Sequence, residues 1–371
     1  MGNVPNLRFP EFSGKWKKCT LGDITINFNL RNKEKIELPM YSVTNNRGFI
    51  PQSEQFEDRD MVGEDIKAYK IIHNKDFAYN PARINVGSIA KYNGSKPCMI
   101  SSLYVCFKAA NGIDEDWLMH LLRSPKIQYY YNINGEGGVR IYLFYPNFAR
   151  IRTSFPTIAE QRKIANLLSL LDARITTQNK IIEDLKKLKS AISHILFSSK
   201  GAIHLSEIAN VVMGQSPSSN AYNDQGLGMP LVQGNLDISN GKTTPRLYTA
   251  EFNQTTEKGN IILTVRAPVG EVAKATQKVC LGRGVCAIIP HEENMSDFIY
   301  QYLTFYKFMW RRYEQGSTFT SINGSDVRNI FCPKVRNVSI LTLLDIKINI
   351  EEREVKQYQS QKQYMLYQMF I

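Results

Sequence analysis

Long apolar runs are missing from this sequence. No stretch approaches the roughly 18 apolar residues that a membrane-spanning helix needs, and the first residues lack the apolar core of a signal peptide. Hydrophobic residues make up 43% of the chain and charged residues 22%, which is typical of soluble globular proteins. We therefore expect a cytoplasmic protein with no membrane partner, whose 371 residues form two or three domains.

Cysteine and histidine are too scattered to build a metal site. No two cysteines form a C-x-x-C pair, and no histidine stands near them at the spacing of zinc ligands. The sequence therefore predicts reduced, buried thiols and no bound metal. The cysteines are Cys19, Cys98, Cys106, Cys280, Cys286 and Cys332.

Motifs of DNA-modifying catalysts are also missing. An adenine methyltransferase needs an N/D-P-P-Y/F-like loop for the flipped base, and Asn80-Pro81-Ala82-Arg83 lacks the second proline and the aromatic residue. A motor needs a G-x-x-x-x-G-K-S/T phosphate loop, which does not occur. Glu183-Asp184-Leu185-Lys186 resembles a nuclease E-x-K element, but it falls within a heptad helix. We predict no catalytic residue in this chain.

Acidic residues are outnumbered by basic ones. The chain has 46 Lys and Arg against 34 Asp and Glu, which gives a net charge of +12. Such a charge points to a polyanionic partner, because each basic side chain that faces a phosphate releases a condensed counterion. A soluble basic protein without such a partner would also fit the charge.

The sequence contains an internal repeat. Residues 167–197 (LLSLLDARITTQNKIIEDLKKLKSAISHILF) match residues 340–370 (ILTLLDIKINIEEREVKQYQSQKQYMLYQMF) without a gap. Farther upstream the match needs small gaps, as where Arg83-Ile84-Asn85-Val86-Gly87 resembles Arg266-Ala267-Pro268-Val269-Gly270. The repeat predicts the order globular domain, long helix, globular domain, long helix.

The predicted fold class is α+β. Short β-branched and aromatic runs alternate with Gly, Asn and Pro clusters in each half, which indicates a mixed, mainly β domain. We expect two tandem, pseudo-symmetric recognition domains separated by two long helices that pair as an antiparallel coiled coil. The predicted boundaries are 1–155 and 201–332 for the domains, and 156–200 and 333–371 for the helices.

Both long helices carry a heptad seam with two polar interruptions. The seam positions are Ile164, Leu168, Leu171, Ile175, Gln178, Ile182, Leu185 and Lys189 in the first helix, and Leu341, Leu344, Ile348, Glu351, Val355, Tyr358, Lys362 and Met365 in the second. Matching polar with polar positions predicts an antiparallel register in which Gln178 meets Lys362 and Lys189 meets Glu351. Packing of each helix on its own domain is the alternative.

The helices are long enough to act as a spacer. About 34 residues span roughly 50 Å, or about 15 base pairs of B-DNA. With antiparallel helices, two similar but non-identical domains would stand at opposite ends. They would recognise two different half-sites, separated by bases that neither domain touches.

The residues resemble the specificity subunits of type I restriction-modification systems along essentially the whole chain. Four segments carry the resemblance most specifically: Trp16 to Ile24, Pro156-Thr157-Ile158-Ala159-Glu160-Gln161-Arg162-Lys163-Ile164-Ala165, His194-Ile195-Leu196-Phe197, and Gly316-Ser317-Thr318-Phe319-Thr320 with Ser321-Ile322-Asn323. The second half departs from the pattern, because Pro333 to Leu341 lacks the E-Q-R-K-I-A stretch.

The resemblance implies a non-catalytic subunit that binds a bipartite site in double-stranded DNA. Two methyltransferase subunits would dock on its helices, and two restriction/translocase subunits would join the assembly. S-adenosylmethionine, ATP and Mg would be bound by these partners and not by this chain. Adenine methylation in each half-site would protect the host, while unmethylated DNA would be cut.

Candidate DNA-contacting residues are polar or basic side chains in loops, since such groups reach base edges and phosphates. Because Arg83 and Arg266 occupy matching places in the repeat, they fit a phosphate contact or a structural role as well as base reading. The candidates are Asn45, Asn46, Arg47, Arg83, Lys91, Tyr92, Asn93, Arg140, Gln215, Ser216, Gln233, Asn235, Arg266, Arg283, Thr318, Thr320 and Asn323.

Two other functions stay open from the sequence. A basic coiled-coil scaffold would bind nucleic acid without sequence preference, and salt alone would weaken that binding. An enzyme, with methyltransferase as the nearest activity, would require the isolated chain to bind S-adenosylmethionine.

Overall fold

The chain forms two compact units in the computed structural model. Unit 1 comprises Met1–Gln178 and Glu354–Ile371, and unit 2 comprises Asn179–Arg353. The predicted borders set the long helices apart from the globular domains, whereas each unit contains a part of both helices. The structure describes residues 4–55, 66–137, 141–198, 203–312, 321–334 and 337–371.

The elements follow one another in the same general order in both units. Unit 1 contains β1 (Lys17–Thr20), α1 (Leu21–Ile24), β2 (Thr25–Phe28), β3 (Tyr41–Thr44), β4 (Gly48–Pro51), α2 (Gln52–Gln55), β5 (Lys70–Ile72), β6 (Phe77–Tyr79), β7 (Ile89–Lys91), β8 (Cys98–Ile100), β9 (Val105–Ala109), α3 (Glu115–Leu122), α4 (Pro125–Asn134), α5 (Tyr145–Ala149), β10 (Arg152–Phe155) and the first part of α6 (Ile158–Phe197). Unit 2 contains the rest of α6, then β11 (Ile203–His204), α7 (Leu205–Ile208), β12 (Ala209–Met213), β13 (Tyr222–Asn223), β14 (Met229–Val232), β15 (Ile238–Ser239), β16 (Lys242–Thr243), β17 (Leu247–Thr249), β18 (Thr255–Thr256), β19 (Ile261–Thr264), β20 (Val272–Lys274), β21 (Val279–Leu281), β22 (Val285–Pro290), α8 (Ser296–Tyr306), α9 (Gly324–Arg328), β23 (Phe331–Cys332) and the first part of α10 (Ser339–Gln368).

The central sheet of unit 1 is antiparallel, with strand order β2-β9-β6-β7. Phe77 of β6 lies opposite Phe107 of β9, and their stacked rings have centroids 5.0 Å apart. Both rings are fully buried in a core that also contains Trp117 of α3. Aromatic residues favour these strands because they fill the space between the sheet and the helices packed on it.

Unit 2 repeats this arrangement and extends it. The strand order β12-β22-β19-β20 corresponds to β2-β9-β6-β7 of unit 1, and the sheet continues through β16 to β15. A second sheet has the order β13-β17-β14-β21-β18. The predicted fold class is therefore confirmed, with mainly β units and long helices.

Equivalent side chains form equivalent contacts in the two units. Lys91 at the end of β7 forms an ion pair with Asp116 of α3, and Lys274 at the end of β20 forms one with Asp297 of α8. Gly87 and Gly270, before these strands, have φ values of 99° and 90°. Glycine is needed at both places because L side chains rarely adopt that left-handed conformation.

The seam positions of α6 and α10 are all buried or half-buried. Ile164, Leu168 and Leu341 are at most 1% exposed, and even the polar Gln178 and Glu351 are 3% and 4% exposed. Other apolar residues of the helices stay exposed, among them Leu188 and Leu343.

The predicted register of the helix pair is wrong. Lys362 contacts Asp172 at 2.5 Å in unit 1, and Lys189 contacts Asp345 at 2.6 Å in unit 2. In unit 1 Gln178 donates to Glu354 at 3.3 Å, whereas the sequence argument paired Gln178 with Lys362. The helices are antiparallel, but the register pairs each seam lysine with an aspartate beside the seam and does not match one polar seam position with another.

The segment Pro156–Ala165 fixes the start of α6 in unit 1. The carboxylate of Glu160 is 1% exposed and accepts hydrogen bonds from the Arg8 guanidinium at 2.7 Å and from Trp16 Nε1 at 3.2 Å. Gln161 is fully buried: its Oε1 accepts from the Asp114 N–H at 2.8 Å, and its Nε2 donates to Pro156 O at 3.0 Å. The Glu-Gln pair therefore joins the helix to the N-terminal segment and to the start of α3.

In each unit a partly buried polar contact links a helix of the globular part, α3 or α8, to one of the long helices. In unit 1 the His120 ring Nε2 lies 3.2 Å from Ser169 Oγ, and in unit 2 Gln301 Nε2 donates to Asp345 at 2.6 Å. His120 and Gln301 hold matching places in α3 and α8. Burial, reinforced by the nearby Lys362, lowers the pKa of His120 to about 4 against the opposing influence of Asp172 and Asp116.

Unit 1 should lose stability in mild acid because of His120. Its folded-state pKa lies below the ordinary value, so the unfolded chain binds the proton first as pH falls. The contribution of neutral His120 to the free energy of unfolding is complete above about pH 6.5, and it declines by roughly 3 kcal/mol towards about pH 4. Urea unfolding of the wild type and of His120→Gln, which copies unit 2, should show a much shallower decline in the variant. Equal pH profiles would contradict the assignment.

Within the described residues, no helix is long and apolar enough to cross a membrane.

Candidate nucleic-acid interface

Several predicted residues meet in a groove of unit 2. The groove has a volume of about 410 Å³ and lies beside β14 and the turn between β21 and β22. Its lining includes five of the residues predicted from the sequence: Ser216, Gln233, Asn235, Arg266 and Arg283. The structure thus brings together residues that are separated by up to 67 positions in the chain.

Arg283 is held at the rim of this groove by its own turn. Its backbone N–H donates to Ser216 Oγ at 3.2 Å, and Gly282 N–H donates to Val232 O at 2.8 Å. A Cβ at Gly284 would lie 2.1 Å from the carbonyl oxygen of Gln233, so only glycine permits this approach. The backbone is thereby fixed while the Arg283 side chain stays exposed.

Asp237 organises the part of the groove lining that follows β14. Its carboxylate is 4% exposed and accepts from the Gln233 N–H at 2.8 Å and from Arg246 Nε at 3.1 Å. The sequence analysis included neither Asp237 nor Arg246. The position of Asp237 in the segment Gln233-Gly234-Asn235-Leu236-Asp237, which follows β14, was the available signal for that residue.

The groove is electropositive. Arg266 and Arg283 are exposed, and neither forms an ion pair with any residue that the structure describes. Arg246 adds a third guanidinium, partly balanced by Asp237. Unpaired guanidinium groups beside amide side chains can bind both phosphates and base edges.

Unit 1 has a matching groove of about 530 Å³. Of the predicted residues, Asn45, Asn46, Arg47 and Arg83 line it. Arg83 is exposed, like Arg266 in unit 2. Arg47 forms an ion pair with Glu54 at 2.7 Å, although both side chains remain more than half exposed.

Three predicted DNA-contacting residues make structural contacts within unit 1 or unit 2, and their contact with DNA stays a prediction. The Tyr92 side chain is 5% exposed, packs against Tyr41 and Phe49, and donates its hydroxyl to Lys96 O at 2.8 Å. The Lys91 side chain forms an ion pair with Asp116, as Lys274 does with Asp297 in unit 2. Asn323 caps α9, where its Oδ1 accepts from two backbone N–H groups.

The remaining predicted residues do not join the two grooves. Asn93 is exposed and, with Lys91 and Tyr92, lines a cleft of unit 1 that shares Asn46 and Arg47 with the unit 1 groove. Gln215 is exposed next to Ser216. Arg140, Thr318 and Thr320 lie outside the described residues.

The thiols are unsuited to metal binding or nucleophilic chemistry. All six cysteines are free, and burial raises the pKa of Cys98, Cys106, Cys286 and Cys332 to about 12. A protonated thiol is a poor ligand and a poor nucleophile. Among the residues with described positions, no group of three or more His, Cys, Asp or Glu side chains could hold a metal ion.

Known proteins resemble this chain in sequence and in fold. Residues 201–357 match the family model described as "Type I restriction modification DNA specificity domain". The "Putative type I restriction enzyme MjaX specificity subunit" of Methanocaldococcus jannaschii is 28% identical, over 97% of this chain and 94% of that protein. Over nearly its full length the chain is therefore similar to a type I restriction enzyme specificity subunit.

Solved structures show the same fold as this chain. The S subunit of a type I restriction-modification system from M. genitalium aligns with a TM-score of 0.64 at 18% identity, over 99% of both chains. A chain from a structure of the type I R-M system aligns with a TM-score of 0.60 at 20% identity, over 96% of this chain and 97% of that one. Members of the family are generally non-catalytic, and DNA sequence specificity is their expected property.

Proposed function

We propose that this subunit recognises a bipartite site in double-stranded DNA, with each unit reading one half. The supporting observation is that the two grooves share one arginine position but differ in their other polar lining residues. Both contain an exposed arginine at the matching place, Arg83 or Arg266, whereas the other polar lining differs. Shared residues suit contacts with the uniform phosphate backbone, and differing residues suit two different base sequences.

The chain acts, in this proposal, by directing catalytic subunits to the site. Two methyltransferase subunits and two restriction/translocase subunits would assemble with it, and they would bind S-adenosylmethionine, ATP and Mg. Support comes from the exposed apolar residues on the helices, such as Leu188 and Leu343, because an apolar stripe of this kind favours association. The lack of recognisable catalytic motifs in the sequence is consistent with chemistry on partner subunits.

Long-read methylation sequencing tests this function directly. Genomic DNA from a host that expresses this chain with its methyltransferase subunit would be compared with DNA from a host that lacks only this chain. The expected result is a new adenine-methylation motif with two specified half-sites and an unspecified spacer.

A variant of the groove in unit 2 tests whether the two units read their half-sites separately. Arg283→Ala should change the specified bases of one half-site only, and a change in both would contradict separate reading. No new motif, with the complex shown to be assembled, would favour nucleic-acid binding without sequence preference.

A further inference from the structure

The grooves of the two units are bordered by the same tight turn. In unit 1 this turn joins β8 to β9 across Ser101–Tyr104, and in unit 2 it joins β21 to β22 across Gly282–Val285. The Tyr104 N–H donates to Ser101 O at 3.2 Å, and the Val285 N–H donates to Gly282 O at 3.1 Å. We call them turn 1 and turn 2.

The tips of these turns carry different chemistry. Turn 2 presents Arg283 to its groove, and turn 1 presents Leu103. Leu103 is 78% exposed, which is more than Leu188 and Leu343 on the long helices. Such exposure costs free energy in the unbound protein, because the apolar surface remains in contact with water.

Turn 1 is held rigidly, so Leu103 cannot fold back into the core. The Tyr104 hydroxyl accepts from the Val43 N–H of β3 at 3.2 Å. The Tyr104 carbonyl oxygen accepts from Lys70 Nζ of β5 at 2.5 Å. Two neighbouring strands therefore fix the turn, with its leucine pointing into the groove that Arg83 also lines.

DNA carries one apolar group that can complement an apolar side chain in a basic groove. The major-groove edge of an A·T pair carries the 5-methyl group of thymine, and no other base has an apolar group there. The same groove contains Asn45 and Asn46, and asparagine is the side chain that pairs with adenine N6 and N7. Leucine and asparagine together therefore match an A·T pair or adjacent A·T pairs.

We propose that Leu103 contacts a thymine 5-methyl group in the half-site read by unit 1, and that Arg283 contacts a guanine in the half-site read by unit 2. This inference rests on the proposed function. It adds a specificity residue that the sequence analysis missed, and it assigns different base pairs to the two matching turns. Arginine suits guanine because two N–H groups of its guanidinium can donate to O6 and N7 at the same time.

The experiment is a thermodynamic cycle between protein and DNA. The full chain, assembled with its methyltransferase subunit, is titrated into a labelled duplex that contains the methylated motif. In a series of duplexes, each thymine of the first half-site is replaced in turn by deoxyuridine, which lacks only the methyl group. One replacement should weaken wild-type binding about fourfold, the effect of about one buried methyl.

Leu103→Ala should weaken binding to the thymine duplex by several-fold and abolish the difference between thymine and deoxyuridine at that position. Folding should not change, because the side chain is 78% exposed. Ser102→Ala, next to it in turn 1, is the matched control and should retain the full thymine preference. Arg283→Ala should retain it too, while losing its dependence on guanine N7, measured with 7-deazaguanine in the second half-site.

Three outcomes would overturn the proposal. The Leu103→Ala complex could keep the wild-type sensitivity to deoxyuridine, or no deoxyuridine position could affect the wild type. The variant could also weaken both duplexes equally and reduce DNA bending, which would indicate insertion between base pairs. Failure of the proposed function would look different, because the wild-type complex would then bind target and unrelated duplexes equally.

Discussion

Replacing Arg83 and Arg266 together by alanine should weaken target binding by the assembled complex at least a hundredfold. Charge-assisted hydrogen bonds contribute about 1.5–3 kcal/mol each, so two losses amount to about 3–6 kcal/mol. Both side chains are exposed in equivalent grooves. Their identity in both units suits a contact that is the same at every sequence, which is the phosphate backbone.

The salt dependence of binding distinguishes this role from base reading. Each lost phosphate contact should reduce the slope of log affinity against log salt by about 1, so the double variant should lose about 2. Each single variant should show about half of both effects, since the residues belong to different units. Lys258→Ala, an exposed basic residue outside both groove linings, is the control. An altered methylation motif with an unchanged slope would show that these arginines read bases.

Replacing Glu160 by alanine should destabilise unit 1 by about 3 kcal/mol, as expected when one partner of a buried ion pair is removed. The carboxylate is 1% exposed, and its loss would leave the Arg8 guanidinium and Trp16 Nε1 without their acceptor. Two consequences should follow in unit 1: the N-terminal segment should detach from the start of α6, and the tryptophan environment should change.

Denaturant unfolding followed by tryptophan fluorescence measures this effect. Trp16 reports on unit 1 directly, because it lies 3.2 Å from the substituted carboxylate. Glu183→Ala removes an exposed ion pair with Lys187 one helical turn away on α6, and its unfolding midpoint should match that of the wild type. A Glu160→Ala midpoint equal to that of Glu183→Ala would mean that Arg8 finds an equivalent partner elsewhere.

The resemblance to the family rests partly on residues whose role is structural. The Glu160–Gln161 pair belongs to the characteristic segment Pro156–Ala165, and it anchors the long helix but lines neither groove. The second half lacks this pair. The motif is visible in the sequence, but its contact partners are not, because Arg8 lies 152 residues from Glu160.

Loop polarity alone does not separate exposed base-reading candidates from packed ones. Loop composition favoured Lys91 and Tyr92 as strongly as Arg83, yet an ion pair occupies Lys91 and the core takes up Tyr92. It also passed over Leu103, because an apolar residue in a turn looks unremarkable until its exposure is known. Polarity identifies residues able to contact DNA, but only packing decides which of them face solvent.

The sequence alone determined the repeat, the α+β class, the seam positions and the basic character, because periodicity and composition are local properties that survive without coordinates. Only the tertiary structure decided the helix register and the membership of the grooves. The register depends on Lys362 meeting Asp172 and Lys189 meeting Asp345, and a heptad repeat permits several such alignments of nearly equal apolar contact. The grooves depend on turns such as Gly282–Val285, which bring residues distant in sequence within hydrogen-bonding distance.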